Sequence, residues 1–143
     1  EVISHFIFFS ERVLGLLELK WAKVIYPKDD LLCETDVLAR LETRDGKCVN
    51  ILASVGGAQP DRQEMTVRGT AKSRRISEFY KDSESNGMEF IPLREEPKDP
   101  RAVSLKAQLD DLEKMYNGHP NKLATVDEAL RVQVLIESIL ASK

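Results

Sequence analysis

Two side chains at the start of the sequence have types and a spacing that suit proton transfer. A carboxylate and an imidazole lie four residues apart, at Glu1 and His5, and positions i and i+4 share one side of a helix. Histidine titrates near neutral pH, and a nearby carboxylate orients an imidazole ring and favours its charged form. The pair is therefore a candidate general acid–base site. The alternative is a structural histidine on an otherwise apolar helix.

Other patterns that carry chemistry are missing from the sequence. The seven glycines form neither G-x-G-x-x-G nor G-x-x-x-x-G-K-[ST], and no G-x-S-x-G motif occurs. The histidines, His5 and His119, and the cysteines, Cys33 and Cys48, are too few and too scattered for a metal cluster. We interpret both cysteines as reduced thiols of a cytoplasmic protein, with a single disulfide as the alternative.

A local run of positively charged residues suggests a second candidate site, one that would bind anions. Arg68, Lys72, Arg74 and Arg75 carry four cations with no acidic residue between them. Such a run can bind phosphate groups or nucleic acid, but aromatic residues that would stack on bases do not interleave it. We favour an exposed strand face or a sheet edge protected by cations.

The composition limits the classes of protein to which the chain can belong. Its 143 residues carry 21 Lys+Arg and 24 Asp+Glu, a net charge of −3, which favours neither nucleic acid nor a membrane as partner. No apolar segment approaches the length of a membrane span, and no secretory signal is recognisable. We expect one domain over residues 1–143. The first residue is Glu1 rather than Met and no capping residue precedes the first helix, so we expect a fragment of a longer protein.

The elements that must position the candidate side chains follow from periodicity. Residues 2–14 form a predicted helix that buries Val2, Phe6, Phe9 and Val13. Alternation predicts strands over residues 17–26, 36–43, 48–55, 63–70, 74–80 and 88–93, with a tight hairpin turn at 44–47 and another turn at 85–87. The expected fold class is α+β: an open, mainly antiparallel sheet with helices on one face.

Two further helices are predicted after the strands. The first covers residues 101–116. The second covers residues 126–141, begins with a capping box formed by Thr125 and Glu128, and is expected to bury Leu130, Val134, Ile136 and Leu140.

The two ends of the chain resemble a known family. The segment E-V-I-S-H-F-I-F-F-S-E-R-V-L-G resembles the D-x-x-x-H helix of the glucose–fructose oxidoreductase, inositol dehydrogenase and MocA family, which opens the C-terminal domain there. The segment A-T-V-D-E-A-L-R-V-Q-V-L-I-E-S-I-L-A-S-K resembles the terminal helix of the same domain. The order of elements between them also matches, so the resemblance covers the whole chain.

The resemblance implies the C-terminal domain of an NAD(P)-dependent oxidoreductase that acts on a sugar, cyclitol or related polyol. His5 matches the family histidine that assists proton transfer, and Glu1 stands where the family has a substrate-binding Asp. The Rossmann domain and the E-K-P motif of the family are absent here. The parent protein is therefore expected to use NAD or NADP, whereas this fragment alone is expected to bind no cofactor and to be inactive.

The resemblance also implies a homo-oligomer that associates through the open sheet face. The strand positions that face away from the predicted core are of mixed polarity: Leu38, Arg40, Asn50, Leu52, Ser54, Thr66 and Arg68. Isolated leucines among polar groups suit either a moderately polar interface or a solvated face. The alternative function is a non-catalytic ligand-binding or assembly domain, in which His5 is structural.

Overall fold

The computed structural model describes residues 2–29 and 32–142. It confirms the α+β class. Its elements are α1 (Val2–Leu14), β1 (Leu17–Ile25), β2 (Asp36–Thr43), β3 (Cys48–Ser54), β4 (Glu64–Arg68), β5 (Ser73–Ser77), β6 (Lys81–Ser85), β7 (Ile91–Pro92), α2 (Pro100–Tyr116) and α3 (Val126–Leu140).

The chain divides into two compact units. The first combines the residues up to Gln59 with those from Ala124 onwards, and the second is Pro60–Leu123. That residues 1–143 form a single domain stays a prediction.

The first unit is built on an antiparallel sheet in the order β1-β2-β3. The predicted β2–β3 hairpin is confirmed, and its register sets Ala39 opposite Ile51. The turn is closed by the backbone N–H of Lys47, which donates to the Thr43 hydroxyl over 2.9 Å. Gly46 adopts φ 84° there, a conformation that glycine reaches without steric cost.

One face of this sheet packs against α1 and α3 and forms the hydrophobic core. Its most buried members are Leu41 at 0%, Ala39 and Ile7 at 1% and Ile139 at 2% exposure. Helices therefore cover one sheet face, as the alternation in β2 and β3 predicts. The opposite face is open and exposes Trp21 and Leu52, among other side chains.

The face of α1 that is buried differs from the prediction. Val2, Phe9 and Val13 are 42%, 42% and 59% exposed, whereas Ile7 and Ser10 are buried. The Ser10 hydroxyl donates to the Phe6 carbonyl over 2.7 Å, which satisfies its hydrogen bonding inside the core. Apolar residues occupy almost every side of this helix, so periodicity alone selected the wrong stripe.

The face of α3 that is buried also differs in part. Leu130 and Val134 are 60% and 58% exposed, so their predicted burial is wrong. The core side consists of Val132, Leu135 and Ile139, with Ile136 and Leu140 partly buried against it. The cause is the same, because apolar residues are distributed around most of this helix.

The second unit holds an antiparallel sheet whose strands follow chain order, β4-β5-β6-β7. Strand β6 was not predicted, and the β5–β6 connection lies at residues 78–80 rather than at 85–87. Glu78 and Phe79 adopt φ 51° and 63° there, the left-handed region in which Gly, Asn and Asp are usual. Neither Glu nor Phe is typical of a turn, so the sequence pattern did not indicate the β5–β6 turn or the strand β6 that follows it.

Helix α2 of the second unit begins and ends with clear caps. The Asp99 carboxylate accepts hydrogen bonds from the backbone N–H groups of Arg101 and Ala102, each over 3.1 Å, and Pro100 occupies the first helical position. Asn117 ends the helix. None of the described helices is long and apolar enough to cross a membrane.

Candidate functional site

His5 lies on the second turn of α1 and is exposed. On a helix its neighbours on the same side are the residues three, four and seven positions away, here Val2, Phe9 and Arg12. This is the side of α1 that faces away from the buried Ile7. The imidazole is therefore accessible to a ligand, as a proton-transfer group must be.

The carboxylate predicted to accompany His5 is that of Glu1, which lies outside the described residues. Its place relative to the imidazole and its substrate-binding role stay predictions. The role of His5 in proton transfer also stays a prediction, since accessibility alone does not assign chemistry.

The helix that carries His5 is fixed to α3 by an ion pair. The Arg12 guanidinium donates to both carboxylate oxygens of Glu128, over 3.0 Å and 2.8 Å, and lies 4.7 Å from the Phe8 ring centroid. Glu128 also accepts from the backbone N–H of Thr125 over 2.8 Å, so the predicted capping box is confirmed. The hydrogen bond from Arg12, and after it that from Thr125, lowers the pKa of Glu128 to about 2.

The last turn of α1 is anchored by a second acidic side chain. Glu11 is largely buried and accepts from the backbone N–H of Leu17 over 3.2 Å, which ties the start of β1 to the helix. The depression beside it, lined by Arg12 and Arg131 among others, measures about 70 Å³. That volume is far below the roughly 300–1,000 Å³ of small-molecule sites.

The open face of the first sheet carries a polar cluster beside an apolar patch. Arg40 donates to Asn50 over 2.8 Å and to Glu42 over 3.3 Å, and also contacts the Cys48 thiol. The apolar patch of this face consists of Trp21, Ile25, Leu38 and Leu52, which are 50%, 48%, 44% and 83% exposed. The mixed polarity predicted for this face in β2 and β3 is confirmed.

The positive run of the second unit is balanced by acidic residues on neighbouring strands. Lys72 and Arg74 both contact Glu84, over 2.6 Å and 3.1 Å, and Arg75 contacts Glu64 over 3.4 Å. The hydrogen bond from Lys72, with the charge of Arg74 as a smaller cause, lowers the pKa of Glu84. An exposed strand face stabilised by ion pairs therefore fits these residues better than a phosphate-binding patch.

The N-termini of α2 and α3 do not fit the phosphates of a dinucleotide. Such phosphates bind where a glycine-rich turn meets a free helix N-terminus. The N-terminus of α2 is occupied by the Asp99 carboxylate, and that of α3 by Thr125 and Glu128. These carboxylates place negative charge where the phosphates would bind. In this part of the chain there is also no group of three or more His, Cys, Asp and Glu that could hold a metal ion.

Comparison with known proteins identifies the fold. No protein-family profile and no curated protein sequence matches the chain. Solved structures do match, including the WlbA dehydrogenase from Bordetella pertussis with NADH and UDP-GlcNAcA, at 16% identity, TM-score 0.67 and coverage of 96% of this chain and 42% of that chain. The chain has the fold of part of these oxidoreductases.

Two further structures support the same oxidoreductase fold. The 3-ketoreductase KijD10 from Actinomadura kijaniata, with TDP-benzene and NADP, matches at 16% identity and TM-score 0.69, with 97% of this chain and 45% of that chain covered. The dehydrogenase MviM from Clostridium difficile matches at 11% identity and TM-score 0.74, with 96% and 45% covered. The fold predicted from the two end motifs is therefore confirmed, and the chain spans less than half the length of these proteins.

A group of side chains in the second unit was missed by sequence reasoning. The Arg75 guanidinium carbon lies 3.7 Å from the Phe90 ring centroid, beside a cleft that Tyr80 and Arg94 also line. These residues are brought together by β6, the strand that was not predicted. The mixture of aromatic and basic residues over 74–94 was the one available signal.

Proposed function

We propose that the chain is the substrate-binding and oligomerisation part of an NAD(P)-dependent oxidoreductase that acts on a sugar, cyclitol or related polyol. The observation that carries the proposal is the shared fold over 96% of the chain with WlbA, whose structure contains NADH and UDP-GlcNAcA. KijD10, solved with NADP, shares it as well. The exposed position of His5 on the first helix supports the same proposal.

In this proposal the chain contributes groups for binding and for proton transfer. His5 accepts or donates a proton at the oxygen of the reacting carbon, a role that suits imidazole near neutral pH. Glu1 contacts the substrate. The nicotinamide cofactor, NAD or NADP, supplies the redox chemistry when it is bound elsewhere in the parent protein. The N-termini of α2 and α3 support this placement, since Asp99 and the capping box of Thr125 and Glu128 already occupy them.

The role of His5 is tested by His5→Asn in the parent protein. We expect kcat to fall by about 10²–10⁴-fold, the usual contribution of general acid–base catalysis, with little change in cofactor affinity. His119→Asn is the matched control, since His119 is exposed in the second unit. Equal turnover in the two variants would remove His5 from the mechanism.

The proposal that this chain does not itself hold the nicotinamide cofactor is tested by calorimetric titration of the 143-residue chain with NADH and NADPH. We expect no binding at micromolar concentrations of either nucleotide. Micromolar affinity would contradict the assignment of cofactor binding to another part of the parent protein.

The open sheet face is the proposed interface of a homo-oligomer. Its apolar patch of Trp21, Ile25, Leu38 and Leu52 adjoins the polar cluster of Arg40, a combination typical of moderately polar interfaces. Leu52→Asp should convert the parent protein to a smaller species in sedimentation velocity experiments. Leu130→Asp, at an exposed apolar position on α3, is the control and should leave the oligomer intact. Loss of the oligomer with both variants, or with neither, would argue against this face.

We further propose that the protein is cytoplasmic. Both cysteines, Cys33 and Cys48, are free and exposed, and exposed free thiols are kept reduced in that compartment.

A further inference from the structure

The second unit contains a cleft that the proposed oxidoreductase function does not use. It has a volume of about 260 Å³ and is lined by residues of β5, of the β5–β6 turn, of β6 and of the segment after β7, including Arg75, Ser77, Tyr80, Lys81, Phe90 and Arg94. The cleft lies entirely within residues 60–123. Binding of a ligand in this cleft therefore does not depend on the role proposed for His5.

One wall of the cleft is held rigidly by Arg75. Its guanidinium stacks on Phe90 at 3.7 Å from the ring centroid, donates from Nε to the Thr66 hydroxyl over 3.3 Å and contacts Glu64 over 3.4 Å. A side chain fixed by three contacts loses little further freedom when a ligand binds. The stack thus forms a preorganised flat wall.

The turn beside the cleft stores backbone strain. Glu78 and Phe79 both adopt positive φ, which is unfavourable for residues other than Gly, Asn or Asp. Strained backbone of this kind clusters at ligand-binding positions. Tyr80 ends this turn and Lys81 begins β6, and Lys81 is held by Glu78 over 3.1 Å and by Glu96 over 3.5 Å.

Arg94, Tyr80 and Ser77 also line the cleft, and in the part of the chain that the structure describes their side chains make no hydrogen bond or ion pair. No carboxylate lies within 4.0 Å of the Arg94 guanidinium there, and the hydroxyls of Tyr80 and Ser77 make no side-chain hydrogen bond. A guanidinium fork pairs with a carboxylate or a phosphate through two parallel hydrogen bonds. Hydroxyls donate to and accept from the hydroxyls of a ligand.

The size and charge of the cleft narrow the class of ligand. A volume of about 260 Å³ is slightly below that of sites for drug-sized molecules, and it suits one sugar-sized ring or chain. Glu95 and Glu96 also line the cleft. Their carboxylates, with that of Asp82, can accept from ligand hydroxyls and disfavour a ligand that carries more than one anionic group, so a nucleoside diphosphate fits poorly.

We propose that this cleft binds a small hydroxylated acid of monosaccharide size, whose oxyanion pairs with Arg94 and whose hydroxyls bind Tyr80 and Ser77. The oxyanion is a carboxylate, as in a sugar acid, or a phosphate ester, as in a sugar phosphate. Both present the same pair of acceptor oxygens to the guanidinium.

The test is titration of the 143-residue chain with D-glucuronate, D-glucose 6-phosphate and D-glucose, followed by amide chemical shifts in NMR spectra. At least one anionic sugar should bind and shift the amides of β5 and β6, and glucose should bind about tenfold more weakly or not at all. Binding of one anion alone identifies the source of the oxyanion. No binding at about 10 mM, or equal binding of glucose, overturns the proposal.

Substitutions distinguish binding in the cleft from attraction of the anion to general surface charge. Arg94→Gln should weaken binding of the anionic sugar about tenfold, and Arg94→Lys should restore part of the loss, since it keeps the charge without the fork. Arg101→Gln, at an exposed position outside the cleft, is the matched control. The amide spectra establish that each variant is folded. Equal weakening by Arg94→Gln and Arg101→Gln, or by neither, overturns the assignment.

Discussion

The two units of the chain are stabilised by different interactions. The first unit contains all nine buried apolar side chains of the described residues, from Ile7 on α1 to Ile139 on α3. In the second unit Ser85 is the one buried side chain among those described. Its strands pair through backbone hydrogen bonds and carry ion pairs between side chains, such as those that Glu84 makes with Lys72 and Arg74.

This difference indicates where stability and specificity lie. Burial of apolar surface contributes about 25 cal/mol per Å², whereas ion pairs between exposed side chains contribute little. The first unit therefore positions His5 on a rigid scaffold. The second unit carries its cleft on a sheet with less buried apolar surface, so we expect that sheet to be the less stable of the two.

The largest expected effect follows from removal of a core side chain in the first unit. Leu41 is 0% exposed, and Leu41→Ala should lower the free energy of unfolding by about 2–5 kcal/mol. Trp21, the single tryptophan of the chain, lies on β1 of this unit, so its fluorescence in urea follows the unfolding of the first unit.

The control for this prediction is a leucine on the next strand. Leu52 is 83% exposed, and Leu52→Ala should change the free energy of unfolding by no more than about 0.5 kcal/mol. Equal effects of the two substitutions would mean that the first unit does not depend on the core described above.

A smaller effect is expected from the ion pair between α1 and α3. The pKa of Glu128 is about 2 in the folded chain, below its ordinary value of 4.5. A lowered pKa contributes stability above the ordinary value, and that contribution is lost as the pH falls from about 4.5 towards 2. Glu128→Gln should lower stability at neutral pH and flatten this part of the pH profile, measured by Trp21 fluorescence in urea.

The matched control is Glu84→Gln in the second unit. The pKa of Glu84 is also lowered, chiefly by the hydrogen bond from Lys72, but Glu84 belongs to the other unit. Its substitution should leave the Trp21 transition and its pH profile unchanged. A shift as large as that of Glu128→Gln would contradict the separation of the two units.

Elements with a distinctive local sequence pattern could be predicted from the sequence, whereas the buried faces of the helices could not. Strict alternation and an Asp-Gly turn define β2 and β3, because only one register buries Val37, Ala39 and Leu41. The capping box at Thr125 is equally local. The buried stripes of α1 and α3 were not predictable from periodicity, because apolar residues surround both helices and the neighbouring sheet decides which side is buried.

The candidate sites show the same limits. His5 was identified as a candidate through a motif at the start of the chain. The structure adds that His5 is exposed and that the Arg12–Glu128 ion pair fixes its helix to α3. The cleft of the second unit was not found, because Arg75 is remote in sequence from Phe90 and Arg94 and meets them only through β6. That strand, Lys81–Ser85, consists entirely of charged and hydroxyl side chains, so no alternation of apolar residues predicts it.

The smallest expected effect concerns the turn between β5 and β6. Glu78 adopts φ 51°, and a left-handed residue other than Gly, Asn or Asp costs about 1–2 kcal/mol. Glu78→Asn should relieve part of that cost, while Glu78→Gln removes the same negative charge beside Lys81 and retains the strain. Exchange of the β5 and β6 amides should therefore be slower in the Asn variant than in the Gln variant. Equal exchange rates would show that the strain at Glu78 does not limit the stability of the second unit.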